Sequence, residues 1–293
     1  MSKLQLYLKV AYLYLRKKIV TKEDIGKSYS LVSPKYEQKF LSAMHLYNDE
    51  MLRELSKHLE FKKDLRILDL AAGTGYNSAR MQKMFPGAST TLVDISTGML
   101  KEAQKNLREN ASFVTADMLD YLESCEAEAF DVVLCCWAIK YQPPLKIIRQ
   151  CHRVLKPGGY LAVLVNRKGT LPQVELVYPQ LLASYPAKIQ KLMLKLPNPK
   201  NLKTFDHWFL NSSFAKITSK EGFHDFTFQT SAELTEFVTS TGALAGFDVM
   251  LDLRDAEVQA TMTHLFQKYN LTKATHKFLY GIYQKCLNQG EER

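Results

Sequence analysis

The segment Ile67-Leu68-Asp69-Leu70-Ala71-Ala72-Gly73-Thr74-Gly75 constrains the fold of this chain more than any other. An apolar run reads as a buried strand, passes an acid, enters a turn of small residues and continues as a helix over Tyr76–Met84. Small residues let a ligand approach the backbone, and the helix N-terminus offers N–H groups to a carboxylate or phosphate. The texture then repeats. Strands are predicted at Leu65–Leu70, Thr90–Ile95, Phe113–Ala116, Phe130–Cys136 and Tyr160–Asn166, with helices at Gly98–Arg108 and Pro144–Leu155 between them. Near-continuous apolar strands alternating with helices imply a parallel sheet covered on both faces.

The acids refine this. Asp94 ends the second strand, where a carboxylate is placed to accept both hydroxyl hydrogens of a ribose. The dinucleotide fingerprint G-x-G-x-x-G is incomplete, because Ser78 follows Gly75 where the third glycine belongs. That argues against a nicotinamide-dependent oxidoreductase. Ala116-Asp117-Met118 follows the third strand and sets an acid where an adenine amine would lie. Phe130-Asp131-Val132-Val133 opens the fourth strand, and Val154-Leu155-Lys156-Pro157-Gly158-Gly159 leads into the fifth.

Together, in this order and spacing, these motifs make residues 65–166 resemble the core of the class I S-adenosylmethionine-dependent methyltransferases. The likeness is to the branch holding the ubiquinone/menaquinone C-methyltransferases and many small-molecule enzymes. The resemblance implies an α/β, Rossmann-like, doubly wound and mostly parallel seven-stranded sheet, with an N-terminal helical lid and an inserted cap. It implies S-adenosyl-L-methionine as cofactor, with Asp69, Ala71, Ala72, Gly73 and Gly75 around its methionine part and Asp94 on its ribose. Ile95, Met99, Asp117, Met118 and Trp137 would complete the cofactor set, and Tyr29 and Tyr36 would fold over it. The family motif is acid-x-Gly-x-Gly-x-Gly; Ala71 stands at the first glycine, so that turn must tolerate a β-carbon. Asp131 begins its strand at the opposite end and reads as a fold residue.

Acceptor residues should lie beyond the carboxyl ends of the strands. Trp137 and Tyr141 follow the fourth strand and are candidates, Tyr141 with a catalytic role. Gln142-Pro143-Pro144-Leu145 differs at both ends from the Asn/Asp-Pro-Pro-Tyr motif of amino-group nucleic-acid methyltransferases and reads as a helix start. His207, within Phe205-Asp206-His207-Trp208-Phe209, is the candidate base, ahead of His45 and His224. Five cysteines show no metal-site spacing, so no metal is expected.

The organisation expected is a helical lid over 1–64, the core over 65–166, a cap over 167–210 and a C-terminal part of the sheet over 211–293. In the first part, Leu4, Leu8, Ala11 and Leu15 follow a helical stripe, as do Phe40, Met44, Tyr47, Met51, Leu55 and Leu59, with a break at Ser28–Ser33 before Pro34. A cap helix is predicted over Ala187–Leu196. Beyond it come a helix at Ser213–Gly222, a strand at Phe226–Thr230, helices at Ser231–Ser240 and Asp255–Tyr269, and a last strand at Lys277–Lys285.

The net charge is +9, yet residues 1–22 alone carry +6 and residues 176–205 carry +5, both without acids, so the remainder is slightly acidic. Lys188, Lys191 and Lys195 would share a helix face. A nucleic-acid ligand would need a basic stripe with a recognition module, and no such module is visible. The expectation is a cytoplasmic methyltransferase for a small, hydrophobic or anionic acceptor, with the basic N-terminal helix as a peripheral membrane contact. An RNA methyltransferase and a cofactor-binding protein without methyl transfer are the alternatives.

Overall fold

The computed structural model describes residues 3–32, 42–59, 64–107, 110–194, 196–241 and 244–286. Three helices open the chain: α1 (Lys3–Leu15), α2 (Lys22–Val32) and α3 (Ser42–Ser56). On α1 the predicted stripe faces outward: Leu4, Leu8, Ala11 and Leu15 are exposed, and Leu13 is the buried residue. The start of α2 is capped reciprocally, Thr21 N donating to Asp24 Oδ2 at 2.9 Å and Asp24 N to Thr21 Oγ1 at 3.3 Å. The break expected from Ser28 is absent as far as Val32. Ser28 Oγ donates to Asp248 Oδ2 (2.6 Å) and Ser30 Oγ to the carbonyl of Gly26, so these hydroxyls find partners without opening the helix. On α3, Met44, Met51 and Leu55, with Leu59 just beyond its end, are buried as the stripe requires; Phe40 and Tyr36 lie outside the described residues.

The alternating region follows the prediction closely: β1 (Arg66–Leu70), α4 (Tyr76–Met84), β2 (Ser89–Asp94), α5 (Thr97–Asn106), β3 (Ala111–Thr115), α6 (Met118–Ser124), β4 (Phe130–Cys136), α7 (Pro144–Val154) and β5 (Leu155–Asn166). The short α6 and a turn of 3-10 helix at Ile139–Tyr141 are unexpected. All seven residues of β4 are buried, as are Ile67–Leu70 of β1. Each fully buried Val, Leu or Ile contributes about 1.5–3 kcal/mol, which is why these runs are strands at the sheet centre. Then come α8 (Pro172–Ser184), α9 (Leu202–Leu210), β6 (Phe214–Thr227), α10 (Ser231–Ser240), α11 (Phe247–Met250), α12 (Ala256–Lys268) and β7 (Lys273–Lys285). The sheet has seven strands in the order β3-β2-β1-β4-β5-β7-β6, β1 to β5 parallel and β7 antiparallel to β5.

Two predicted helices are corrected. Phe214–Gly222 belongs to β6, at the sheet edge beside β7. Pairing overrides the helical leaning of its Ala, Lys and Glu residues. Gly222 is no helix stop: a Cβ there would meet Phe278 Cζ at 2.5 Å, so the glycine makes room for that ring. Among the described residues of Ala187–Leu196 there is only a short turn of 3-10 helix, at Pro186–Lys188, and Leu192 forms a β-bridge with Ile19. Lys188 and Lys191 therefore share no helical face, and Lys195 lies outside the described residues. Lys188 pairs with Asp255 and Glu257, and Lys191 with Asp24. The helix of this region is α8, which accommodates Pro179 in its interior.

The chain forms two compact units. One comprises Met1–Ala43, Gly169–Lys195 and Phe223–Lys277; the other comprises Met44–Lys168, Leu196–Gly222 and Phe278–Arg293. The second holds the sheet core, with β1, β4, β5, α7 and α9 packed through Leu68, Val133, Leu161, Ile147, Phe205 and Phe209. At the amino ends of its strands, Asp131 Oδ2 accepts from Arg66 N (3.0 Å) and Lys156 Nζ (2.7 Å), tying three segments together as a fold residue would.

Candidate functional site

The carboxyl ends of β1 and β2 build the site. Asp69 is fully buried in β1; its Oδ2 accepts from Ser78 Oγ at 2.8 Å, and its Oδ1 has no hydrogen-bond partner. Burial pushes its carboxyl up to about 7. The loop that follows is left-handed at three positions, Ala71 (φ +52°), Gly73 (φ +57°) and Gly75 (φ +79°). A β-carbon at Ala71 costs about 1–2 kcal/mol in that conformation. At Gly75 a Cβ would stand 2.6 Å from Leu107 Cδ1, so the Leu107 side chain would have to shift. At Gly73 a Cβ would meet nothing within 4 Å, so the backbone there borders open space.

Asp94 closes the loop onto the neighbouring strand. Its Oδ2 accepts from Gly73 N (2.9 Å) and its Oδ1 from Ser96 N (2.8 Å). Burial raises its carboxyl to about 6 against the lowering effect of those two amides. Ser96 in turn caps α5 through Met99 N, which sets Met99 beneath the loop end; Met99 is buried and Ile95 half-buried. Ala72 N donates to Val93 O at 3.0 Å, binding the loop to β2 a second time.

At the next strand end, Asp117 caps α6 through Leu119 N and Asp120 N, and its Oδ2 accepts from Gln142 Nε2 at 2.5 Å. Met118 beside it is buried. Beyond β4, Trp137 sits at φ +66°, held by its N–H to Leu164 O. Its Nε1 donates to Asn48 Oδ1 (3.1 Å), and Asn48 Nδ2 donates to Asn77 Oδ1 (2.7 Å). Lys140 is buried, its Nζ donating to the carbonyl of Trp137 at 2.7 Å, and burial lowers its ammonium to about 7. That Nζ lies 4.9 Å from the ring centre of Tyr141, which is half-buried.

The structure thus gathers Asp69, the Ala71–Gly75 loop, Asp94, Ile95 and Met99 at adjoining strand ends, with Asp117, Met118 and Trp137 at the flanking ones. It does not bring His207 there. His207 is exposed on α9, on the side away from the buried Phe205 and Phe209, and its Nε2 pairs with Asn211 Nδ2. An exposed ring has no enclosed acceptor to deprotonate, so the aromatic cluster around it is core packing. His45 stacks on Tyr76 and His224 packs on Phe226. Tyr29 is half-buried on α2, in the other compact unit.

Sequence reasoning missed Asn48, Asn77, Lys140 and Gln142. Asn48 left a trace, because it falls on the buried face of α3 between Met44 and Met51, where an amide needs a partner. Gln142 and Lys140 left none. Among the described residues no group of three or more His, Cys, Asp and Glu side chains could hold a metal ion. No helix among them is long and apolar enough to cross a membrane.

Residues 67–159 match the family model described as "Methyltransferase domain". The chain is 31% identical over 125 residues to a ubiquinone biosynthesis O-methyltransferase of Actinobacillus pleuropneumoniae, covering 40% of this chain and 53% of that protein. It is 32% identical over 126 residues to a ubiquinone/menaquinone biosynthesis C-methyltransferase of Pectobacterium atrosepticum, covering 40% and 49%. It is 30% identical over 162 residues to a demethylmenaquinone methyltransferase of Chlamydia trachomatis, covering 54% and 63%. In each case less than two thirds of the relative's length is spanned. Among solved structures, the [4+2]-cyclase SpnF aligns over 92% of this chain and 98% of its own, with a TM-score of 0.56 and 16% identity. The MccD protein aligns over 80% and 96%, with a TM-score of 0.52 and 19% identity. At these identities the two structures share the fold.

Proposed function

We propose that this chain, whose residues 67–159 form a class I methyltransferase domain, binds S-adenosyl-L-methionine at the β1–β2 strand ends and methylates a small, hydrophobic or anionic acceptor. The observation that carries the reading is the buried, unpartnered Oδ1 of Asp69 on β1, together with the open space at the backbone of Gly73 in the loop that follows. A buried carboxylate oxygen without a donor is costly, and an incoming ammonium group satisfies it. The amino group of the cofactor's methionine part supplies that donor.

The other residues fit the rest of the molecule. Each oxygen of Asp94 already accepts one backbone N–H and keeps a second lone pair for a ribose hydroxyl. Asp117 keeps acceptor capacity at the third strand end, with Met118 as an apolar wall. Bound there, the cofactor supplies a methyl group on a positively charged sulfur that is already activated for displacement. The residues have two tasks: to align donor and acceptor in line, and to keep water out. Trp137, fixed through Asn48, is a rigid wall for this, and Tyr141 is the proposed contact with the acceptor. An acceptor that sheds a proton needs a base, and Tyr29 and Tyr36 remain proposed contacts with the cofactor.

The relatives methylate quinone precursors by name, at oxygen or at carbon. A lipid-like acceptor of that kind suits the aromatic residues beyond β4. A cytoplasmic protein meeting such an acceptor at a membrane surface is part of the same reading. Incubation with methyl-labelled cofactor and fractionated cell extract tests it. Label in small molecules or lipids supports the proposal, and label confined to RNA refutes it. Tight cofactor binding with no label in any fraction would identify instead a protein that binds the cofactor without methyl transfer.

A further inference from the structure

α1 carries apolar residues on both of its sides. The residues turned toward its own unit are Leu6, Lys9, Val10 and Leu13, of which Leu13 is buried at 3% exposure, and the helix packs there on α8 and the Pro186–Lys188 turn. Its solvent side is apolar as well. Leu4 is 63% exposed, Leu8 62% and Leu15 80%, in one stripe with Ala11, flanked by the exposed Tyr7, Tyr12 and Tyr14. A surface helix ordinarily turns its leucines inward. Here the stripe covers about 17 Å of helix, from the rise of 1.5 Å per residue over Leu4–Leu15. An exposed face of this kind marks an interaction site.

The charge of the segment identifies the occupant. Residues 1–22 carry six basic residues and no acid, and Arg16, Lys17 and Lys18 are exposed directly after the helix. Leucines with tyrosines at their margin and basic residues beside them form the pattern of helices that lie in a bilayer interface. Tyrosine favours that depth because its ring is apolar and its hydroxyl stays wet. Lysine and arginine at the margin are drawn to anionic headgroups.

We infer that α1 docks the protein on an anionic lipid surface, with Leu4, Leu8 and Leu15 inserted and Arg16, Lys17 and Lys18 at the headgroups. The inference does not rest on methyl transfer, and its readout needs no methyl donor. The full chain is floated with vesicles of phosphatidylcholine alone or with about 30% phosphatidylglycerol, which gives them a negative surface potential. The protein is expected to float with the anionic vesicles at least about 10-fold more than with the neutral ones, and to lose this in 0.5 M salt. The triple variant Leu4→Ser/Leu8→Ser/Leu15→Ser and the variant Arg16→Glu/Lys17→Glu/Lys18→Glu should each lower partition at least about 10-fold. Their unfolding midpoints should match the parent, because the residues are exposed. Three results would overturn the inference: no flotation of the parent, undiminished flotation of the leucine variant, or a self-associating parent that the leucine variant makes monomeric while neither binds vesicles.

Discussion

Cofactor affinity should rise with pH through the titration of Asp69. In the ligand-free protein burial holds this carboxyl at about 7 instead of 3.8. At ~1.4 kcal/mol for each tenfold, keeping it ionised without a partner costs about 4 kcal/mol. An ammonium at Oδ1 binds the ionised form, so ligand must compete with a proton. The ionised fraction grows from about 3% at pH 5.5 to about 75% at pH 7.5, which predicts, from this group alone, an affinity for S-adenosylhomocysteine about 25-fold higher at the upper pH. Titration calorimetry in two buffers of different ionisation enthalpy should also show close to one proton released on binding near pH 6. Asp69→Asn should bind more weakly and lose most of the pH dependence, retaining up to about fourfold from Asp94, whose carboxyl lies at about 6. A parent Kd that is flat from pH 5.5 to 7.5, or an unchanged slope in Asp69→Asn, would refute the assignment of Asp69 to the ammonium. The same carboxyl acts on folding with the opposite sign. A raised folded-state value favours the fold below pH 3.8, and that contribution is lost as pH rises toward 7, so ligand should stabilise the protein more at pH 7.5 than at 5.5.

Three substitutions test the surrounding architecture. Gly75→Ala combines a left-handed φ with a 2.6 Å approach to Leu107 and should cost about 2 kcal/mol or more in a urea titration, with weaker ligand binding. Asp131→Asn weakens the tie to Lys156 and Arg66 at the far end of the strands; it should cost about 1–2 kcal/mol of stability while leaving Kd for S-adenosylhomocysteine within about twofold. Asn48→Leu leaves Asn77 and the Trp137 indole without their shared partner, and should lower stability by about 2 kcal/mol and shift the Trp137 contribution to near-ultraviolet circular dichroism.

The core was legible because its signals are local and redundant. In β1 and β4 apolar runs, an acid and a small-residue turn occur together, so strand, loop and neighbouring acid could be placed from spacing alone. Elsewhere burial is decided by partners remote in sequence. Nothing local in Phe214–Gly222 announces β7, which makes it a strand, and the proline-broken stretch around Pro186 gives no period to read. His207 misled because aromatic neighbours mark both pockets and cores, and only the side of α9 on which each lies separates them. Trp137 could be singled out from its place after the fourth strand, but its support by Asn48 joins residues 89 apart in the chain. The outward stripe of α1 was visible as a period, whereas its direction was not.

The hold of Asp94 on Gly73 N has a kinetic consequence. The chain's own side chain fixes the left-handed loop before any ligand arrives, and the amides of Gly73 and Ala72 are spoken for in that state. Encounter then requires no folding of the loop, and little entropy is lost in ordering it. Association should proceed as a single exponential whose rate climbs linearly with ligand concentration, leaving differences in affinity among variants of Asp69 to appear in how fast the ligand departs.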